Sequence, residues 1–439
     1  MYSLRALLPG AAAAGAALAV AEAAAALTGR RSTVDLAAQL VVDRVPRSAV
    51  EIGVRLLRSA DKPAIRASVV GAVLASGALA GATGRSRRRG PTAAALAGAG
   101  AVAGAGIAAA WRRQTSRREH QDAVFASRPL SAARPLPPAR DGAEHWPGAS
   151  PLLTPVQDFY VTDVAMRSPV VDVHRWRLTV CGEVRRPLSV GYADLLDDEL
   201  VEFDAAMVCI HNRLGWDRLG NQRWTGLPLS RLLERVEPTP AAGTLVTRSV
   251  DGWECSLPLR LLADHDAYLV LGMGGRALTA SHGFPARVFV PGLYGQYAGA
   301  KWLTELRLQA TPNRDYWQGR GWPHGPVPVR PMARIDAPAH RGRRAAGPVT
   351  VTGVAWAPAG GVGSVEVSLD GGPWTGAELA GELAPAAWRR WRADLVLDAG
   401  THELRARCLG RDGRVQDGVP RDPFPSGASG YHRVRLRVA

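Results

Sequence analysis

Lysine is almost missing from this chain. Of its 54 basic residues only Lys62 and Lys301 are lysines, and against 39 acidic residues the arginines leave a formal charge of +15. An arginine bias of this kind follows genome base composition as readily as it follows an anionic partner. No helix-turn-helix, zinc finger or RRM pattern accompanies it, so nucleic acid is not an expected partner. Cysteine is sparse too: Cys181, Cys209, Cys255 and Cys408 are widely spaced and form no Cys-x-x-Cys pair. That excludes a zinc ribbon and a disulfide-dense secreted domain, and three of the four read as core residues. The first histidine is His120, and Met1 is the only methionine before Met166. The N-terminal region therefore lacks the His/His or His/Met axial pair of a membrane b-type haem. Neither a Walker loop nor the strand, Gly-rich turn and helix of a dinucleotide fold is present.

What the N-terminal region does have is three Ala/Gly/Val/Leu tracts of low charge, Leu4–Thr28, Ala64–Thr83 and Thr92–Trp111. Each is close to the roughly 20 residues that cross a bilayer as a helix, and the small residues suit helix packing in lipid. Leu36–Leu57, with Asp43, Arg44, Pro46 and Arg55, reads as an amphipathic or broken helix. The expectation is a multi-pass transmembrane anchor over 1–115, in the cell membrane. Basic clusters at Arg85–Arg89 and Arg112–Arg118 flank both ends of the last tract, so charge gives no orientation. A cytoplasm-facing globular part is expected, because a domain folding around a large cofactor cannot thread an unfolded-chain translocon.

Residues 116–150 turn to Pro, Ala, Arg and Ser and read as a Pro-stiffened linker that holds the rest off the bilayer. Beyond it, short β-branched runs alternate with turn signals and short helices. Arg175–Val180 is predicted as a strand with Trp176, Leu178 and Val180 on one face, Leu227–Val236 as a helix with Pro228 in its first turn, and Thr244–Ser249 and Arg287–Val290 as strands. This is an α+β pattern over 151–335. From Pro348 the apolar period becomes two, through Val349, Val351, Val365, Val367, Leu369, Leu404, Ala406, Cys408, Val434, Leu436 and Val438, with a tight-turn signal at Asp370-Gly371. That predicts an antiparallel sandwich of immunoglobulin type over 336–439.

The candidate site centres on Met207–Leu229, where Cys209 ends an apolar strand-like run and a polar, Gly- and Arg-bearing loop follows. By itself such a cysteine is a nucleophile, a metal ligand or a small buried hydrophobe, the last being commonest. Further motifs follow in order: Cys209-x-x-Asn212, Arg223-Trp224-x-Gly226, His282-Gly-Phe-Pro-Ala-Arg287 and Gly299-Ala300-Lys301-Trp302. Together they resemble the molybdenum-cofactor domain of the sulfite oxidase family, from about Pro151 to the C-terminus, with Ser364–Trp374 resembling the start of that family's second, immunoglobulin-like domain. The resemblance implies that Cys209 ligates molybdenum beside the two sulfurs of a pterin dithiolene, a soft ligand for a metal already sulfur-bound. It implies that His282, Arg287 and the Gly299-Ala300-Lys301 turn hold the cofactor's anionic tail, with Phe159, Tyr160 and Asn212 as further contacts.

The pattern also breaks. Where animal and plant members carry two further arginines, this chain has Thr162-Asp163 and Leu214; where they carry a tyrosine at the metal, Trp322 is aligned. Arg389 is the surviving candidate for the anion pocket, reaching back from the second domain. Sulfite is a small dianion whose burial needs compensating charge, so a more neutral, larger or organic S- or N-oxide suits the altered pocket. Trp322, with one N–H donor and no acceptor, would narrow and dry it. The reading is a membrane-anchored molybdopterin-dependent oxidoreductase, sulfite oxidase-like, that transfers an oxygen atom to or from a small oxo compound. It would work as a homodimer with a separate electron-transfer partner, and with no haem or flavin in this chain. The rival is a membrane-tethered scaffold that keeps the fold without turnover; nitrate reduction meets the same shortage of pocket cations.

Overall fold

The computed structural model describes residues 4–28, 32–44, 61–83, 116, 119–126, 128–358 and 360–439. It divides into two compact units, one comprising residues 1–124 and 163–170, the other 125–162 and 171–439.

Among the described residues the first unit contains three helices, α1 (Leu4–Thr28), α2 (Thr33–Arg44) and α3 (Asp61–Thr83). Leu18, Val34, Ala38 and Val69 form its small core. Charge is built into it. The fully buried Glu22 accepts hydrogen bonds from Ser32 Oγ (2.8 and 2.9 Å) and from Val34 N–H (2.9 Å), capping α2. Asp35 pairs with Arg66 (2.9 Å) and Arg167 (3.0 Å), and Lys62 Nζ donates to Ala165 O (2.6 Å). Among the described residues no helix is long and apolar enough to cross a membrane. This corrects the multi-pass membrane expectation at Leu4–Thr28 and Ala64–Thr83, and the orientation argued from it. The physical reason is that an alanine tract looks like a span through its lack of charge, yet each methyl offers little apolar surface. The third tract, Thr92–Trp111, the cluster Arg85–Arg89 and residues 45–57 lie outside the described residues.

The second unit starts with two sheets. One has the strand order β2-β1-β10-β5-β6, from β1 (Arg177–Gly182), β2 (Leu188–Gly191), β5 (Thr244–Ser249), β6 (Glu254–Pro258) and β10 (Leu303–Gln309). The other runs β3-β4-β7-β8, from β3 (Val201–Val208), β4 (Leu219–Pro228), β7 (Tyr268–Met273) and β8 (Arg276–Ala277), with β9 (Arg287–Phe289) also on β7. The predicted face of β1 is buried, with Trp176 at 5 % and Leu178 and Val180 at 0 % exposure. Pro228 closes β4 and caps the helix Leu229–Val236, which buries Leu229, Leu232 and Val236.

The C-terminal part is a two-sheet sandwich around one core shared by Ile335, Val351, Trp391, Val367, Ala406 and Val434. One sheet is β11-β13-β17-β16, from β11 (Met332–Ala337), β13 (Gly347–Trp356), β16 (Glu378–Leu379) and β17 (Arg389–Leu397). The other is β12-β19-β18-β14-β15, from β12 (Arg343–Arg344), β14 (Val362–Leu369), β15 (Thr375–Gly376), β18 (Gly400–Gly410) and β19 (His432–Val438). Asp370 and Gly371 both have positive φ (50° and 75°), the two-residue turn that matches strand twist.

The Pro-rich segment read as a spacer is a strap on this unit. Leu130 N–H donates to Gly275 O (3.0 Å) and Ala133 N–H to Leu200 O (2.8 Å), and Arg223 Nη1 reaches Pro137 O (2.6 Å). Further on, the buried Asp141 carboxylate is gripped by Arg390 of β17 through Nε (2.7 Å) and Nη2, and Trp146 packs with Ala143 and Ala380. Polar composition marked this stretch as linker; its backbone donors and one buried ion pair tie it down.

Candidate active site

Cys209 lies one residue past the end of β3. Val208 pairs with Leu219 in the β3/β4 ladder, and one step on Cys209 N–H donates to Arg218 O (2.9 Å), so residues 209 and 218 face each other at the mouth of the loop between them. Asn212 braces this loop: its N–H donates to Cys209 O (2.9 Å) and its Oδ1 accepts from Arg218 N–H (3.0 Å). Cys209 is 6 % exposed. Burial pushes its ionisation up; the Arg218 charge, a backbone hydrogen bond at His211 and side-chain hydrogen bonds from Thr162 and Arg218 pull it back. Arg218 and Thr162 were not among the sequence-predicted site residues. Reading 207–229 as a hairpin in register would have set Arg218 opposite Cys209.

Tyr160 connects the thiol to a cluster of cations. Its phenol is held well above its ordinary range by burial and by Cys209, while Arg287 and Arg218 act in the opposite sense. Phe159, stacked on Tyr160 with ring centroids 5.6 Å apart, offers its carbonyl to His282 Nε2 (3.3 Å), while His282 Nδ1 meets Thr279 Oγ1 (2.6 Å). A neutral imidazole with the proton on Nε2 satisfies both contacts. Three consecutive N–H groups, of His282, Gly283 and Phe284, bond to Thr279 O at 3.1 Å, which winds the segment into a tight turn. Arg287 then donates to His282 O (3.2 Å) and to Met207 Sδ (3.3 Å), two residues before Cys209. Lys301 Nζ donates to Ser281 O (2.8 Å) and lies 4.5 Å from the Trp302 ring centre. A Cβ on Gly283 would stand 3.1 Å from Lys301 Cβ and 3.3 Å from Arg287 Cβ, so His282, Arg287 and Lys301 converge on one turn. Gly299 has φ 120° and packs where a Cβ would lie 2.5 Å from Val288 Cβ, and Ala300 N–H donates to Thr247 Oγ1 (3.1 Å).

The other predicted residues fall elsewhere. Trp322 is 3 % exposed and wedged edge-on against His211 (4.9 Å) and Phe424 (5.2 Å), beside the Cys209 loop. Arg389 donates to Ala380 O (2.6 Å) and Val362 O (3.4 Å), both carbonyls of the sandwich, and is not one of the groups gathered at Cys209. Arg213, next to Asn212, is ion-paired with Asp422. Tyr294, 3 % exposed, was not anticipated either; burial raises its phenol to about 12, and Cys209 adds to the rise.

The donor set fits a sulfur-bound metal carrying an anionic organic group. A buried thiol with a guanidinium on it offers one soft ligand, and the His282, Arg287 and Lys301 turn offers cations and backbone at a fixed distance from it. Among the described residues no group of three or more His, Cys, Asp or Glu could hold a metal unaided, so further ligands would come from that organic group.

Residues 165–317 match the family described as oxidoreductase molybdopterin binding domain. The chain is 27 % identical over 327 residues to the mitochondrial sulfite oxidase of Homo sapiens, covering 62 % of this chain and 59 % of that protein. It is 28 % identical over 337 residues to the sulfite oxidase of Gallus gallus, covering 66 % and 71 %. A shorter match, 29 % over 162 residues, is to the protein-methionine-sulfoxide reductase catalytic subunit MsrP of Burkholderia mallei, covering 34 % of this chain and 47 % of that subunit. In fold it is similar to the sulfane dehydrogenase SoxCD of Paracoccus pantotrophus, with a TM-score of 0.56 at 22 % identity over 68 % of this chain and 95 % of that one. The domain match makes residues 165–317 a molybdopterin-binding oxidoreductase domain. The chain is similar to sulfite oxidases, and it spans less than two thirds of the length of the mammalian relatives it matches.

Proposed function

We propose that this protein moves one oxygen atom to or from a neutral or organic sulfur or nitrogen oxo compound, with Cys209 as its thiolate ligand to molybdenum. The carrying observation is the buried Cys209 at the mouth of the β3/β4 loop, its N–H bonded to Arg218 O (2.9 Å), with Arg287 on Met207 Sδ (3.3 Å) two residues before it. The bound molybdenum–pterin group supplies the oxygen transfer and the two-electron redox change. This chain's residues do the rest. Lys301, Arg287 and His282 hold the anionic tail; Asn212 fixes the loop that carries the thiolate.

The substrate class rests on charge. Arg218 is one cation beside the thiol, while Arg213 is committed to Asp422 and Arg389 to carbonyls of the sandwich. A dianion such as sulfite would meet too little compensation on entering a buried pocket. Trp322, close against His211, gives that side an apolar wall and an N–H without an acceptor. The methionine-sulfoxide reductase subunit among the relatives is consistent with an organic S-oxide. The test is a turnover screen with artificial electron donors and acceptors against sulfite, nitrate and organic sulfoxides. The expected result is the highest kcat/KM with an organic S- or N-oxide; a clear preference for sulfite overturns the substrate reading.

A further inference from the structure

The outward face of the β12-β19-β18-β14-β15 sheet is a field of arginine. Alternation along β19 points Val434, Leu436 and Val438 inward and leaves Arg433, Arg435 and Arg437 exposed. These three follow one another at about 7 Å, twice the rise of a strand. Cross-strand register adds Arg405 opposite Arg433 and Arg343 opposite Arg437, while Arg407 stands opposite Glu366 on β14. The acidic residues among them are taken up: Glu403 holds Arg405 (2.7 Å) and Arg435 (2.9 Å), and Glu366 holds Arg407 (2.5 Å). Arg343, Arg433 and Arg437 have no carboxylate partner among the described residues. Like charges set side by side on a sheet destabilise it, so the face carries an electrostatic cost that an anionic occupant would relieve.

The strand that carries these arginines starts beside the active-site loop, through a residue on the inner side of the sheet. His432 opens β19, and its Nε2 lies 2.2 Å from where a Cβ on Gly215 would stand, in the loop between Cys209 and Arg218. Resting on the oxidoreductase reading above, we infer that this basic sheet is the docking surface for an acidic electron-carrier protein. Adding an oxygen atom from water to a substrate releases two protons and two electrons. The protons go to solvent and the electrons leave to a one-electron carrier in two steps; reduction of an oxo compound runs the same balance backwards. A protein surface is favoured over a bilayer because glutamates are interspersed on the face, its inward residues hold the apolar positions, and Trp374 lies under Arg407 (4.4 Å). Facing charges of opposite sign raise association rates by one to three orders of magnitude, and salt removes the gain.

The experiment uses the full chain and two probes with the same haem, cytochrome c and cytochrome c whose lysines have been succinylated. Binding to the purified protein is measured first, then reoxidation of protein reduced with dithionite and desalted, in stopped flow, both against ionic strength. The succinylated, acidic form should bind and react at least tenfold faster than the native form at low salt, with the gap closing as salt rises. The Arg433→Glu/Arg437→Glu double variant should erase that preference while leaving reoxidation by a neutral quinone unchanged. Equal or faster reaction of native cytochrome c, or a preference that survives the double variant, overturns the proposal. So does binding of phosphatidylserine vesicles through the same two arginines without binding of the succinylated protein. Loss of acidic-probe binding in the double variant, in a protein that turns over no oxo compound in either direction, would retain the face and refute the oxidoreductase reading instead.

Discussion

Cys209 and Arg218 are related in two ways: Cys209 N–H donates to Arg218 O (2.9 Å), and the Arg218 charge favours ionisation of the thiol against its burial. The first places the arginine by backbone register and the second puts its charge on the sulfur. With the thiol ionised, a charge-assisted hydrogen bond from Arg218 would contribute about 1.5–3 kcal/mol. Arg218→Gln is therefore expected to lower kcat/KM about 10- to 100-fold and to change the Mo(V) electron paramagnetic resonance signal, with Arg218→Lys recovering part of both. Unaltered kinetics and spectrum in Arg218→Gln would leave the residue a loop strut.

Arg389 and Arg390 are neighbours with different work. Arg390 and Asp141 form an ion pair with side-chain exposures of 5 % and 0 %, and removing one partner strands the other charge. Such losses cost about 3–5 kcal/mol. Asp141→Ala should lower unfolding stability by that order in denaturant titrations, and Asp141→Leu/Arg390→Met should restore most of it. Arg389→Gln, by contrast, should leave the KM for every substrate within twofold, since its bonds go to Ala380 and Val362.

His432 gives the fold an acid-sensitive joint. Its Nδ1 accepts from Ile335 N–H (3.0 Å), and burial first, then Arg334, lowers its pKa from 6.5 to about 4. Between those values the unfolded chain binds a proton that the folded chain does not. Stability should thus be full above pH 6.5 and decline towards pH 4, by a contribution of about 3 kcal/mol. Chemical denaturation from pH 8 to 4 checks the slope, and His432→Gln should flatten it.

Trp322→Tyr distinguishes wall from filler. Because Trp322 packs on His211, two residues from Cys209, the swap is expected to raise the sulfite rate relative to a bulky S-oxide. A fall in thermal stability with unchanged relative rates would mean that the indole only packs.

Much of the backbone around the candidate site could be read from residue order because ordered motifs report local turns. The Thr279-centred turn carries His282, and the positive φ at Gly299 lets the next residues reach Thr247. Strand faces were legible for a similar reason, as alternation on β1 and β19 reports burial directly. Long-range closure was not. Arg389 resembles a pocket arginine by position, yet whether it or Arg390 turns inward depends on the pairing of β17 with β13, which no local pattern encodes. Apolarity misled at the N-terminus, where buried Glu22 and the Asp35 pairs hold a packed unit that an alanine count reads as lipid-facing.

The central claim is that Cys209 holds molybdenum. The measurement is metal and pterin content of protein made in a cofactor-competent host, for the native chain and for Cys209→Ser. The expected result is about one molybdenum and one pterin per native chain, and loss of the metal's thiolate ligand together with turnover in the serine variant. Absence of molybdenum and pterin from the native protein, or full stoichiometry with unchanged activity in Cys209→Ser, would contradict it.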